Sequence, residues 1–238
     1  MQFSAASDRG RVRSRNEDTF SVISRPDGVL AAVADGMGGL YAGNVASALA
    51  ISTLEEFSAS VAMAQLDLVE VYGEINRRIR ERAGTEHMGT TLTVACVLED
   101  GGVRFAHVGD SRLYHWAPGP SLTQLTQDHS LLEELSRAGQ PRSASHQSQR
   151  HMLTRAVGVS EQLAVDTGHA VLKPGERLLL CTDGIIQYFD EDELATMLGN
   201  GISGLAERFV QAANQRGGSD NATAVILARQ PERGPRHD

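Results

Sequence analysis

The chain has 238 residues, 41% of them hydrophobic and 22% charged, with a formal net charge of −8. That composition suits one globular domain with a sizeable core and excludes a disordered chain. The acidic balance opposes nucleic acid as the principal partner, no apolar run approaches the ~18 residues of a membrane span, and Asp8, Arg9 and Arg11 interrupt the start too early for a secretory signal. Cys96 and Cys181 each sit in an apolar run, TLTVACVL and LLLC, and read as reduced, buried small hydrophobes. The expected compartment is the cytoplasm.

In chain order, Phe20–Ser24 and Val29–Ala34 flank the turn signal Pro26-Asp27-Gly28 and predict a hairpin. Helical patterns follow at about Gly43–Phe57 and Leu66–Arg82, the second with Leu66, Val69, Tyr72 and Ile79 on one face. Thr90–Leu98 and Val103–Val108 predict a second hairpin across Glu99-Asp100-Gly101-Gly102, and Arg112–Trp116 continues the strands. Ser130–Ala138 reads as a short helix, followed by a polar stretch to Arg150. Strands at Val165–Leu172 and Leu178–Cys181, helices at Glu191–Leu198 and Ser203–Gln215, and a strand at Ala222–Ala228 complete the pattern. Tight hairpins imply antiparallel sheets, and helices arriving in consecutive pairs argue against a doubly wound parallel fold. The expected class is α+β, a sheet sandwich with helices outside, as one domain over residues 1–229 and a polar tail over 230–238.

The aspartates fall at strand ends. Val29–Ala34 runs into Asp35-Gly36-Met37-Gly38-Gly39, Val103–Val108 into Gly109-Asp110-Ser111, and Leu178–Cys181 into Thr182-Asp183-Gly184. Asp220-Asn221 immediately precedes the last strand, and Asn16-Glu17-Asp18 precedes the first hairpin. Each Asp-Gly pair alone is an ordinary turn. Gathered at one edge, such carboxylates would repel one another unless cations neutralise them. Hard oxygen donors without a supporting His or Cys set select Mg²⁺ or Mn²⁺ over zinc, and two such ions can activate one water between them. Arg9, Arg11, Arg13 and Arg15 are spaced by two, so an extended segment would place them on one face. Most of that face reads as a solvated basic edge, with one arginine reaching an oxyanion. Cations, an arginine and an activated water together describe phosphoester hydrolysis.

The strings SDRGRVRSRNEDTF (Ser7–Phe20), VADGMGG (Val33–Gly39), MGTTL (Met88–Leu92), HVGDSRLY (His107–Tyr114), LTQDHSL (Leu125–Leu131), LTRAVG (Leu153–Gly158), LLLCTDG (Leu178–Gly184) and GGSDNATAVIL (Gly217–Leu227) are spread in this order along nearly the whole chain. In them the sequence resembles the metal-dependent Ser/Thr protein phosphatases of type 2C, the PPM family, in their compact bacterial form. The resemblance implies a sandwich of two antiparallel sheets flanked by helix pairs. It implies Mn²⁺ or Mg²⁺, two per active site. Asp35 would bridge them, with the Gly36 carbonyl on one, Asp183 and Asp220 completing the other, and Glu17 acting through a water. Asp110 with Asp183 would hold a weaker third ion. Arg13 matches the family's phosphate-binding arginine, while Asp18 and Asn221 are expected to orient neighbours. Eukaryotic relatives carry a histidine where this chain has Met37, which leaves a water as the candidate acid, with His107 and His129 as structural groups. Residues 137–152 occupy the place of the family's flap and are rich in Ser, Gln, Arg and His.

The expected partners are phosphorylated proteins and, through shared substrates, a Ser/Thr protein kinase; the expected state is a monomer that binds neither nucleic acid nor membrane. The alternative reading on the same fold is a catalytically inactive phosphoprotein-binding regulatory module, which the presence of Asp35, Asp183 and Asp220 opposes. A nucleic-acid-binding basic arm is opposed by the total charge.

Overall fold

The computed structural model describes residues 1–38, 42–85, 87–119, 121–139 and 152–231. The flap stretch expected at residues 137–152 and the tail expected at 230–238 lie largely outside these residues. Among the described residues eleven strands form two antiparallel sheets. The first is built from β1 (Gln2–Asp8), β7 (Arg112–Trp116), β8 (Leu122–Gln124), β10 (Arg177–Cys181) and β11 (Ala222–Ala228), in the order β1-β11-β10-β7-β8. The second contains β2 (Asp18–Arg25), β3 (Gly28–Gly38), β5 (Leu92–Leu98), β6 (Gly102–Val108) and β9 (Asp166–Val171), with β4 (Met88–Thr90) paired to the far end of β3.

Alternation along each strand explains the layers. In β3, Val29, Ala31 and Val33 point between the sheets, where they meet Leu178 and Leu180 of β10 and Val225 and Leu227 of β11. The intervening Leu30, Ala32 and Ala34 face α1 (Ala42–Ser60) and α2 (Leu68–Ala83). Leu179, Cys181, Ala224 and Ile226 face the other way, against α5 (Glu191–Leu198) and α6 (Leu205–Gln215). Strands covered on both faces read as continuous apolar runs, which is why the central strands were easy to read as buried but carried no polar alternation. The two cysteines lie on opposite outer layers, buried and free. Among the described residues no helix is long and apolar enough to cross a membrane.

The element pattern follows the sequence with several differences, the first being β1, a seven-residue strand that the sequence reading did not expect. Asp35 and Gly36 lie inside β3, which runs on to Gly38. The stretch expected as one strand from Thr90 is broken at Thr91 into β4 and β5. The second helix begins at Leu68, not Leu66, because the Asp67 side chain accepts from the amides of Val69 and Glu70 and caps it there. The short strand β8 and the four-residue helix α4 (Asp183–Ile186) have no periodicity to announce them. Finally, the arginine-bearing segment after Asp8 is not extended. The Asp8 side chain accepts from the Gly10 amide, Gly10 adopts φ +81°, and the Arg11 and Val12 amides both donate to the Gly218 carbonyl, so the chain folds back as a loop and the four arginines share no strand face. The remaining helix, α3 (Leu131–Arg137), is capped by the Ser130 hydroxyl.

Candidate active site

β3 changes neighbours at Asp35. Up to Val33 it pairs with β5, and from Gly36 it pairs with β4. At the changeover the Asp35 amide takes a hydrogen bond to the Thr91 hydroxyl (2.9 Å), and its carbonyl accepts from the Thr91 amide (2.8 Å) and the Thr90 hydroxyl (2.9 Å). The backbone of Asp35 is thus pinned from both directions, and its side chain is set at the rim of the sandwich. Gly36 follows because a Cβ there would lie 2.1 Å from the carbonyl oxygen of Gly43, at the start of α1.

Across the sandwich, β10 and β11 end beside one another. A Cβ on Gly184 would lie 1.8 Å from the Asn221 carbonyl oxygen, so only glycine lets the turn after Asp183 approach the turn after Asp220. Asn221 ties the remaining segment down. Its side-chain oxygen accepts from the Glu17 amide (2.8 Å), and its amide donates to the carbonyls of Arg9 (2.8 Å) and Arg15 (2.7 Å). That brace fixes the loop carrying Arg13 and Glu17.

The result is a cavity of about 520 Å³ bounded by Arg13, Glu17, Asp35, Gly36, Asp110, Asp183 and Asp220, with Met37, Thr91, Gln187, Ser219 and Asn221 among its other walls. Every candidate site residue named from the sequence lines it. Asp18, expected to orient neighbours, lies behind it. It is buried, stands opposite Asp35 in the β2–β3 register, and accepts from the hydroxyls of Thr182 (2.8 Å) and Thr223 (2.6 Å). It therefore ties the second sheet to the ends of β10 and β11.

The electrostatics are those of crowded carboxylates. Burial pushes Asp35 well above the usual carboxylate range, and Asp18, Asp183, Asp110 and Asp220 all add repulsion. Burial likewise raises Asp18 to about 7, with its two threonine hydrogen bonds opposing and Asp183 and Asp220 reinforcing the shift. Glu17 is raised by burial, with Arg13 opposing and Asp220 adding to the shift. Arg13 donates to Asp220 at 2.6 Å. Burial pulls the Arg13 guanidinium down, but Asp220, Asp35 and Asp183 together outweigh it and hold it up. The side chain of Arg13 is 53% exposed, so this pair adds little to stability and leaves the guanidinium free to exchange partners.

The histidines lie apart from this chemistry. His107 is buried, with Nδ1 against the Thr93 hydroxyl and Nε2 against the Gln127 carbonyl, and burial with the neighbouring His129 lowers it to about 4. His129 accepts from the Gly109 amide at Nδ1 and faces Asp166 through Nε2, which makes Nε2 the protonated nitrogen. Sequence reading missed Thr91, Thr182, Thr223, Gln187 and Ser219. The threonines beside Asp183 and Asp220 were visible as hydroxyls next to strand-end carboxylates. Gln187 and Ser219 carried no signal.

Comparison with known proteins settles the family. The family model for protein phosphatase 2C matches residues 8–220. The chain belongs to the protein phosphatase 2C family. A serine/threonine phosphatase from Listeria welshimeri is 37% identical to this phosphatase, the match covering 93% of each chain. The structure of the S. agalactiae serine/threonine phosphatase superposes with a TM-score of 0.87 at 30% identity, covering 96% of this phosphatase and 99% of that chain. The catalytic domain of the serine/threonine phosphatase PstP, solved in complex with two manganese ions, superposes with a TM-score of 0.78 at 32% identity over 94% of this phosphatase and 96% of that chain.

Proposed function

We propose that this phosphatase hydrolyses phosphoserine and phosphothreonine on proteins in the Asp35 cavity, with two Mn²⁺ or Mg²⁺ ions as cofactors, and that it opposes a Ser/Thr protein kinase acting on the same substrates. The observation that carries the reading is Asp35, a half-buried carboxylate on the cavity wall that Asp18, Asp183, Asp110 and Asp220 repel. Such repulsion is costly to the fold and is offset when divalent cations enter. The donor set fits hard cations, since the acidic groups and the Gly36 carbonyl are all oxygen and no His or Cys lines the cavity among the described residues. Among those residues no three or more Asp, Glu, His and Cys side chains form a ready-made cage for one ion. A cation that keeps several of its own waters and takes one or two carboxylates needs none.

In this reading Asp35, the Gly36 carbonyl, Asp183 and Asp220 hold the two ions, Glu17 acts through a water, and Asp110 with Asp183 takes a weaker third. Bound there, the ions supply Lewis acidity and a water acidic enough to attack phosphorus near neutral pH. The residues of the chain do the positioning. The pinned backbone of Asp35 fixes where its carboxylate points, so the attacking water is aligned without reorganisation. Arg13 turns from Asp220 to the substrate, where its planar fork matches the equatorial oxygens of a phosphoryl group. The serine or threonine alkoxide leaves poorly and needs a proton. His107 and His129 are engaged in their own hydrogen bonds, so solvent in the cavity delivers it. Cys96 and Cys181 lie in the outer layers and take no part.

Calorimetric titration of Mn²⁺ into the chelator-stripped protein, alongside turnover of a phosphothreonine peptide, tests this. Chelator should abolish turnover, Mn²⁺ should restore it, and Asp35→Asn should remove both binding heat and activity. Full turnover in excess chelator would sink the proposal.

A further inference from the structure

A second cavity, about 200 Å³, adjoins the first. Met37 and Gly38 line both, so the two share a wall made by the last residues of β3. Beyond that wall the chemistry changes. The smaller cleft is bounded by Met37, Met88, Val159 and His87, with Gly38, Gly89 and Gly158 contributing backbone alone. No Asp, Glu, Lys or Arg lines it among the described residues. Two of its walls are large apolar side chains left exposed, Met37 at 39% and Val159 at 59%. Elsewhere along β3 the apolar side chains from Val29 to Ala34 are buried, so this end of the strand keeps an apolar surface open to the mouth of the active site.

Size and position restrict what can occupy it. A cavity for an independent small-molecule ligand usually measures about 300–1,000 Å³, and this cleft is smaller, suited to one aliphatic side chain. An extended peptide advances about 3.3 Å per residue, and a wall two residues thick separates the cleft from the phosphate-binding cavity. The group best placed to fill it is therefore an aliphatic side chain within about three residues of the phosphorylated residue. Met37 is unbranched and adaptable, so the wall can mould to Leu, Ile or Met.

We propose that the Met37–Met88–Val159 cleft is a specificity subsite that selects phosphoprotein substrates bearing an aliphatic residue next to the phosphorylated serine or threonine. The inference rests on the proposed phosphatase reading of the neighbouring cavity. The test compares phosphothreonine peptides in which Leu or Gly is placed in turn at each of about three positions on either side of the phosphothreonine, with a small aryl phosphate as a substrate too short to reach the cleft. The peptide with Leu at the matching position should show at least about tenfold higher kcat/KM than its Gly counterpart. Val159→Asp, a change at an exposed position outside the phosphate-binding cavity, should erase that preference and leave aryl phosphate turnover within about twofold. Equal use of Leu and Gly at every position would overturn the subsite. So would a preference that survives Val159→Asp, or a loss of aryl phosphate turnover in that variant as large as the loss with the Leu peptide. Failure of the wild type to hydrolyse the aryl phosphate would instead count against the phosphatase reading itself.

Discussion

Two clusters of polar side chains, the paired histidines and the cavity carboxylates, are built on opposite terms. In the pair His107–His129, with ring centroids 4.9 Å apart, each ring nitrogen faces a partner: Thr93, Gln127, Gly109 and Asp166. At the cavity Asp18, Asp183, Asp110 and Asp220 raise the cost of ionising Asp35, and behind it Asp183 and Asp220 do the same to Asp18. A network whose members satisfy each other holds a shape, whereas one whose members repel each other is held by the fold for a guest. That contrast separates scaffold from site here more sharply than burial does, since Asp18 and His107 are both buried from solvent.

The contrast breaks most directly at Asp35. Asp35→Asn should reduce kcat by roughly a thousandfold or more while thermal unfolding of the metal-free protein moves upward, because the carboxylate that its acidic neighbours repel has gone. A variant that lost stability instead would place Asp35 with the satisfied groups. Arg13→Ala should raise KM for an aryl phosphate about tenfold and leave Mn²⁺ affinity little changed; calorimetry and steady-state kinetics read the two separately. An unchanged KM would remove Arg13 from phosphate binding. Asn221→Ala should cost about 2–3 kcal/mol in urea unfolding, since it strips the Glu17 amide and the Arg9 and Arg15 carbonyls of their partner, and it should raise KM as the Arg13 loop loosens.

The two groups should also bend the pH dependence of stability in opposite directions. His107 is lowered to about 4 from 6.5, so the unfolded chain takes up a proton that the folded chain refuses, and stability is lost as pH falls from about 6.5 to 4. Asp18 is raised to about 7 from 3.8, so the folded metal-free protein holds a proton that the unfolded chain has released, and stability grows as pH falls through the same range. Urea titrations at several pH values should therefore show Asp18→Asn more acid-sensitive than the parent and His107→Asn less so. Parallel slopes in all three would mean that neither group titrates as placed.

Much of this was readable in advance. Asp35 and Asp183 were marked by apolar runs that stop at a carboxylate and Asp220 by one that starts just after it, and the layers followed from Val29–Ala34 and Leu178–Cys181 being apolar on both faces. The arginine stripe misled, because spacing by two signals an extended strand only where no residue turns the chain, and here Gly10 at φ +81° and the Gly218 carbonyl turn it. The strand-internal place of Asp35 was hidden for a similar reason. Gly36 and Gly38 read as turn residues, whereas Gly36 is needed for the close approach of α1 and both lie within β3. The adjoining apolar cleft depends on Met37 meeting Val159 across more than a hundred residues of chain, a juxtaposition that no local pattern records.

The placement of the two thiols has a consequence for how this phosphatase behaves under oxidative stress. Cys181 is pushed up to about 12 and Cys96 is also raised, both chiefly by burial, so neither carries appreciable thiolate near neutral pH. Peroxide reacts with thiolates, and a hydrolase relying on one as its nucleophile is silenced by it. Turnover here should survive millimolar-scale peroxide unchanged, leaving dephosphorylation running in conditions that shut down thiol-based phosphatases.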